Sequence, residues 1–291
     1  MQKLKYTFKT DTLFKLLFTK HPHLLKKLVA QLLGIPVSSI TQFEIRNPEM
    51  PPDNIGRKYC YMDIHMEMNG QHVNLEVQVE NEGNFLERVL FYWAKIYSNT
   101  LPEGSNYKEL PRTIIISIVD FTLFDDSAEF HSEFRLLEVK RKTHLIDKQI
   151  LHFFELPKLP DIIDKNDILQ LWLALFKANT EEELQMIDGY GVDEINEVVT
   201  AYRKLSQSPE FNILETQRIM AEADEAQRMS NAEERGEKRS DEKWESVVSD
   251  KDAALADKDT ALADKDAALA DKELEIEQLR KQLTELQEKA K

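Results

Sequence analysis

The sequence predicts an α/β fold, a mixed central sheet flanked by helices, followed by a helical region and a coiled-coil tail. Three observations carry this. Two alternating runs, 59–68 and 71–80, meet at Asn69-Gly70, the strongest short-range hairpin signal. The run TIIISIVDF at 113–121 reads as a buried strand. Apolar residues recur at helical spacing before, between and after these strands.

In order along the chain, residues 8–33 read as helix, with Phe14, Leu17, Phe18, Leu24, Leu25, Leu28 and Leu32 on one face and a break at His21-Pro22. ITQFEIR at 40–46 alternates like a strand, and NPEMPPDNIGRK at 47–58 is a loop. After the hairpin, 84–101 is an amphipathic helix. Further strands are expected at 131–139 and 149–156, and helices at 167–178, 181–188 and 193–206. A Thr180–Glu183 capping box opens the second of these. The order α-β-β-β-α-β-β-β suits a layered α/β or α+β domain.

The end of the chain is a repeat. DKDAALA, DKDTALA and DKDAALA occupy 250–270, and Leu255, Leu262, Leu269, Ile276 and Leu283 fall every seventh residue, the coiled-coil period. Lys258, Lys265 and Lys272 weaken the other seam position until Leu279 and Leu286 take it. The segment is therefore expected to be helical, either as a solvated tail or as a homo-oligomer through 273–289. The expected domains are 1–205, which includes a helical segment 161–205, a charged helical linker 206–249, and the heptad helix 250–291.

Charge follows this division. Residues 1–160 hold 20 Lys+Arg against 20 Asp+Glu, and 161–291 hold 18 against 33, so the net charge of −15 lies in the second half. The overall acidity thus says little about what the first half binds. No apolar run approaches the roughly 20 residues that span a bilayer, and the start, MQKLKYTFKTD, lacks the apolar stretch of a secretory signal. One cysteine, Cys60, makes neither an intramolecular disulfide nor a zinc site alone. A cytoplasmic location is expected. No Gly-rich phosphate-binding loop is present.

The hairpin carries the chemistry. A two-residue Asn69-Gly70 loop makes paired positions sum to 139, so Asp63 should oppose Glu76. Tyr61, Asp63, His65 and Glu67 then share a face with His72, Asn74, Glu76 and Gln78, while Met62, Ile64, Met66, Leu75, Val77 and Val79 form the core face. Glu67 faces His72, which would relieve its charge. Opposed carboxylates about 5 Å apart repel unless a cation or proton joins them. A hard divalent ion would satisfy the pair; the alternative is that both acids point to water. Arg88, Tyr92 and Lys95 then lie at i, i+4 and i+7 on the next helix, opposite Leu86, Val89, Leu90 and Trp93. A metal that generates hydroxide beside a cation that stabilises the transition state is what phosphodiester cleavage requires. The bland alternative for Arg88 is a salt bridge to Glu87 or Glu82.

Asp63 followed by Glu76-Val77-Gln78 across a hairpin resembles the PD-(D/E)XK nuclease signature with Gln in the lysine position. The wider set looks like the recombination-promoting nuclease / putative transposase family. It comprises Asp11 to Lys15, Met62-Asp63-Ile64, Leu75 to Gln78, Arg88 to Tyr92, Gly104 to Tyr107 and Phe154 to Lys158, over roughly residues 5–205. The resemblance implies a restriction-endonuclease-like sheet and a metal-dependent DNA endonuclease linked to recombination or mobile-element activity. It makes Asp63 and Glu76 ligands of Mg²⁺, or of Mn²⁺ or Ca²⁺, and places Gln78 where the lysine belongs. Asp11 would add a carboxylate, or else cap its helix. Since Gln78 brings no charge, Lys15, Lys58, Arg88 or Lys95 must supply it. The rival reading is an inactive nuclease fold that binds or regulates through its helical tail. His65 reads as a solvated strand histidine. His21, His23, His131, His144 and His152 show no ligand spacing, and Tyr107 and Glu155 read as residues that hold the fold.

Overall fold

The computed structural model describes residues 2–46, 49–50, 60–61, 63–101 and 104–289. It contains α1 (Asp11–Lys20), α2 (Pro22–Leu32), β1 (Phe43–Arg46), β2 (Glu49–Met50), β3 (Cys60–Tyr61), β4 (Ile64–Met68), β5 (Gln71–Gln78) and α3 (Phe85–Asn99). These are followed by β6 (Thr113–Val119), β7 (His131–Phe134), β8 (Gln149–Glu155), α4 (Ile168–Lys177), α5 (Glu181–Asp188), α6 (Asp193–Ser206) and α7 (Pro209–Lys289). Six strands form one mixed sheet, ordered β1-β4-β5-β6-β8-β7. Its centre is parallel, β5 to β6 and β6 to β8, and its outer pairings are antiparallel.

Local chemistry explains the elements. Pro22 occupies the first turn of α2, where its missing N–H costs nothing, and separates that helix from α1. Thr180 and Glu183 form the reciprocal capping box at the start of α5. Asn69 and Gly70 both adopt positive φ, 49° and 72°, as the tight hairpin turn requires. The Asn69 amide also clasps the chain before β1: its Oδ1 accepts from the Thr41 and Gln42 N–H groups, and its Nδ2 donates to the Ser39 carbonyl.

The expected register holds where β4 runs: Ile64 pairs with Leu75 and Met68 with Gln71. The first hairpin strand is nevertheless shorter than expected. Cys60–Tyr61 leave the main sheet and pair with β2, a strand within what reads as a loop. Asp63 sits at the bend between the two sheets, and Val79, expected in the core, lies beyond the end of β5 and is exposed.

The sheet is buried on both sides. Val73, Leu75, Ile114, Ile116, Ile118, Ile150 and Phe154 pack against α1, α2, α4 and α6 in the main core. On the other side Ile115, Val119, Leu151 and Phe153 meet Phe85, Val89 and Ile96 of α3. The packing rotates α3 from its expected orientation: Val89 is buried, but Leu86 and Leu90 face outward. Arg88 and Tyr92 therefore share the inner side of the helix with Phe85, Val89 and Ile96. Glu155 holds the fold as expected, accepting from the Leu123 and Phe124 N–H groups and pairing with Lys158. Tyr107 does not; its ring is exposed. The chain divides into two compact units, Met1–Arg218 and Ile219–Lys291. The second is part of α7, and its heptad residues Leu255, Leu262, Leu269, Ile276 and Leu283 are all exposed.

Candidate active site

The polar face of β5 lies under α3, and that position sets its electrostatics. Glu76 is only 6% exposed. Its Oε1 accepts from Asn74 Nδ2 at 2.9 Å. Burial pushes the Glu76 carboxyl up to about 7, and the nearby Asp63 charge pushes the same way. Asp63 is half-buried at the bend before β4. Its Oδ2 accepts the Val77 N–H at 2.9 Å, so it reaches β5 through the backbone rather than as a ladder partner of Glu76. Burial raises the Asp63 carboxyl as well, against the opposing pull of Lys15 and the Val77 N–H.

Two cations serve this face. Lys15 Nζ stands 2.7 Å from Asp11 Oδ1 and 3.3 Å from Asp63 Oδ1. From β5, Gln78 reaches the other cation: its Oε1 accepts from Arg88 Nη2 at 2.7 Å, while its Nε2 donates to the Glu80 carbonyl. The second bond fixes the amide so that its acceptor faces the guanidinium. Arg88 also meets Glu82 at 3.2 Å, the salt bridge named as its bland alternative, and lies over the Phe85 ring. Both Lys15 and Arg88 lower the Glu76 carboxyl against its burial.

The remaining expected residues fall into place or move. Tyr92 packs against the α3-side core, and Lys95 is half-buried one turn further along α3. Asp11 is the first residue of α1 and makes no capping bond; Lys15 holds its carboxylate. Among the described residues no three Asp, Glu, His or Cys side chains converge as a metal cluster. Asp11 is linked to Asp63 through Lys15, and its charge adds to the upward push on the Asp63 carboxyl. His65 is buried, not solvated. It bonds His72 at 3.1 Å, and burial followed by the His72 and Arg46 charges pushes it down to about 4. Glu67 pairs with Arg46 at 2.6 Å rather than relying on the opposed His72. His131 and His152 form a second imidazole pair at 3.0 Å. Lys58 and Met62, and the Tyr61 side chain, lie outside the described residues.

Sequence reasoning placed Asn74 on this face without a role and missed Ser117. Asn74 Oδ1 and Ser117 Oγ are buried with no hydrogen-bond partner among the described residues. Asn74 bonds Glu76 through its other amide atom, and Ser117 is level with Glu76 in the parallel ladder. Small polar residues inside otherwise apolar strands were the available signal. Two carboxylates raised by burial, one of them further by the charge of the other, and two orphaned oxygens are a hard, oxygen-rich donor set that suits a divalent cation.

A sheet with this carboxylate pair at the end of its hairpin is the scaffold of a nuclease-like protein. The sequence pattern of the PD-(D/E)XK nuclease family transposases matches residues 8–232, and the chain belongs to that family. Searches of curated proteins and of solved structures found no match to the chain. Membership supports a nuclease- or transposase-like role and implies a DNA substrate. Nucleases of this class generally use divalent metals. No helix among the described residues is long and apolar enough to cross a membrane.

Proposed function

We propose that the protein is a metal-dependent DNA endonuclease that hydrolyses phosphodiester bonds in recombination or mobile-element activity. The supporting observation is the Asp63–Glu76 pair, each carboxyl raised chiefly by burial and Glu76 further by the Asp63 charge, beside the orphaned oxygens of Asn74 and Ser117. Asp63 and Glu76 would hold the ion, Mg²⁺ first and Mn²⁺ or Ca²⁺ as alternatives. A divalent ion at this position would activate water and neutralise phosphate charge.

The chain's own residues do the rest. Gln78 holds Arg88 toward the carboxylate face, so the neutral amide in the lysine position supplies a cation by positioning one. Arg88 then stabilises the charge that develops on the phosphate oxygens. Tyr92 and Lys95, on the following turns of α3, would bind the DNA backbone. The exposed Ile276, Leu279 and Leu283 fit self-association of the tail through 273–289. The single cysteine fits a cytoplasmic setting.

Plasmid nicking by the full chain tests this, with Mg²⁺, Mn²⁺, Ca²⁺ or EDTA. Metal-dependent nicking is expected in wild type, with a loss of at least about 10³-fold, roughly 4 kcal/mol, in Asp63→Ala and Glu76→Ala. Equal nicking by wild type and either mutant would remove the site. Absence of nicking with every metal would favour the inactive binding module instead. Sedimentation of the chain truncated after residue 272 tests the tail; an unchanged mass distribution would end the self-association reading.

A further inference from the structure

Both oxygens of Asp63 are engaged. Oδ2 takes the Val77 N–H, a backbone contact that fixes the carboxylate to β5, and Oδ1 faces Lys15 Nζ at 3.3 Å. A divalent ion that uses Asp63 must therefore meet an ammonium group already there. Like charges at that separation repel, so the two cations compete for one carboxylate. The α1 backbone has little freedom to relieve the conflict, because Leu13, Phe14, Leu16, Leu17 and Phe18 bury it in the main core. The Lys15 side chain does have freedom, since about a third of it is exposed. It also has a second anchor one turn back on its own helix, Asp11 at 2.7 Å, whose carboxylate is more exposed than that of Asp63.

We propose that Lys15 is a built-in counter-cation: it neutralises Asp63 in the metal-free protein, competes with the divalent ion for that carboxylate, and withdraws onto Asp11 when the ion binds. This rests on the reading of Asp63 and Glu76 as metal ligands and extends it. It gives Asp11 a role outside the ligand set and makes metal affinity a quantity that a residue of α1 sets. Without Lys15, Asp63 would lose its counter-cation and Glu76 one of the two cations that oppose its burial. The metal-free protein would then be less stable even as the ion bound more tightly.

The test is Mn²⁺ binding to the full chain, measured by isothermal titration calorimetry, together with thermal unfolding with and without Mn²⁺. Lys15→Gln should bind Mn²⁺ about tenfold more tightly than wild type, and its metal-free melting temperature should fall by several degrees, with the deficit closing at saturating Mn²⁺. Lys15→Arg keeps the charge and grips carboxylates with a two-pronged fork. It should bind Mn²⁺ threefold or more weakly, and it decides the matter if Lys15→Gln does not fold. Equal or weaker Mn²⁺ binding by a folded Lys15→Gln would overturn the proposal, as would equal or tighter binding by Lys15→Arg. Asp63→Asn separates the two levels. If it loses Mn²⁺ binding while Lys15→Gln matches wild type, the metal site stands and the competition does not. A wild type that binds no Mn²⁺ removes both.

Discussion

Strand β5 has two faces that are almost equally buried and built by opposite means. Val73 and Leu75 are fully enclosed in the main core, where alkyl groups meet alkyl groups. Asn74 and Glu76, on the other side of the same pleat, are also enclosed, yet they carry an amide with an orphaned oxygen and a carboxyl pushed to about 7. Burial on the first face is stabilising at roughly 25 cal/mol per Å² of apolar surface. On the second it is a cost, because desolvating a charge beside a second carboxylate is unfavourable. A fold selected only for stability would have placed apolar residues on both faces. The contrast therefore separates the face of β5 that packs in the main core from the face that carries the proposed site.

The comparison breaks most severely on the dry side. Leu75→Ala leaves a cavity between β5 and the α1–α2 layer and should cost about 2–5 kcal/mol in chemical denaturation. A loss below about 1 kcal/mol would mean that this face is not the one that sustains the fold.

On the wet side, Arg88→Ala should lower metal-dependent nicking about 10²-fold, roughly 2.7 kcal/mol, with much less effect on stability. Gln78→Lys in the wild-type background should slow cleavage, since it replaces the Arg88 acceptor with a like charge. In the Arg88→Ala background the same lysine should restore part of the rate. Additive losses in the double mutant would show that Gln78 does not act through Arg88.

The last effect is in the pH dependence of stability, where no residue is changed. The folded Glu76 carboxyl lies near 7, above the ordinary value of 4.5 expected in the unfolded chain. Its contribution is thus fully present below about pH 4.5 and is lost as the pH rises through about 7. Metal-free wild type should lose on the order of 2–3 kcal/mol between pH 5 and pH 8 from this group. Glu76→Gln should flatten that slope, and an identical slope in the mutant would show that the carboxyl is not held high.

Much of this was legible in the residues, and what was not has identifiable causes. Asn69-Gly70 fixed the hairpin register because few other dipeptides accept two positive φ values in succession. The carboxylates were legible as a pair for the same reason. Their route to each other was not, because β3 leaves the hairpin for a two-residue sheet with β2, a non-local pairing with no periodic signature. The orientation of α3 was ambiguous because apolar residues line more than one side of it; Leu86, Leu90 and Phe91 remain exposed. The burial of Glu76 and His65 ran against the usual association of polarity with solvent. The contact of Lys15 with Asp63 joins residues 48 positions apart (63 − 15 = 48), which no local pattern announces.

The long helix α7 adds a consequence of scale. Its 81 residues extend about 120 Å at 1.5 Å per residue. Each seven-residue unit of the repeat contributes about 10 Å of that length and turns the helix roughly 20° short of two full revolutions. Because the units are near-identical, 21-nucleotide gains or losses in the gene preserve both the reading frame and the chemistry of every face. Such changes would lengthen or shorten the helix in even steps of about 10 Å, each turning its faces by about 20°. The tail is thus a ruler graduated in heptads and adjustable in length.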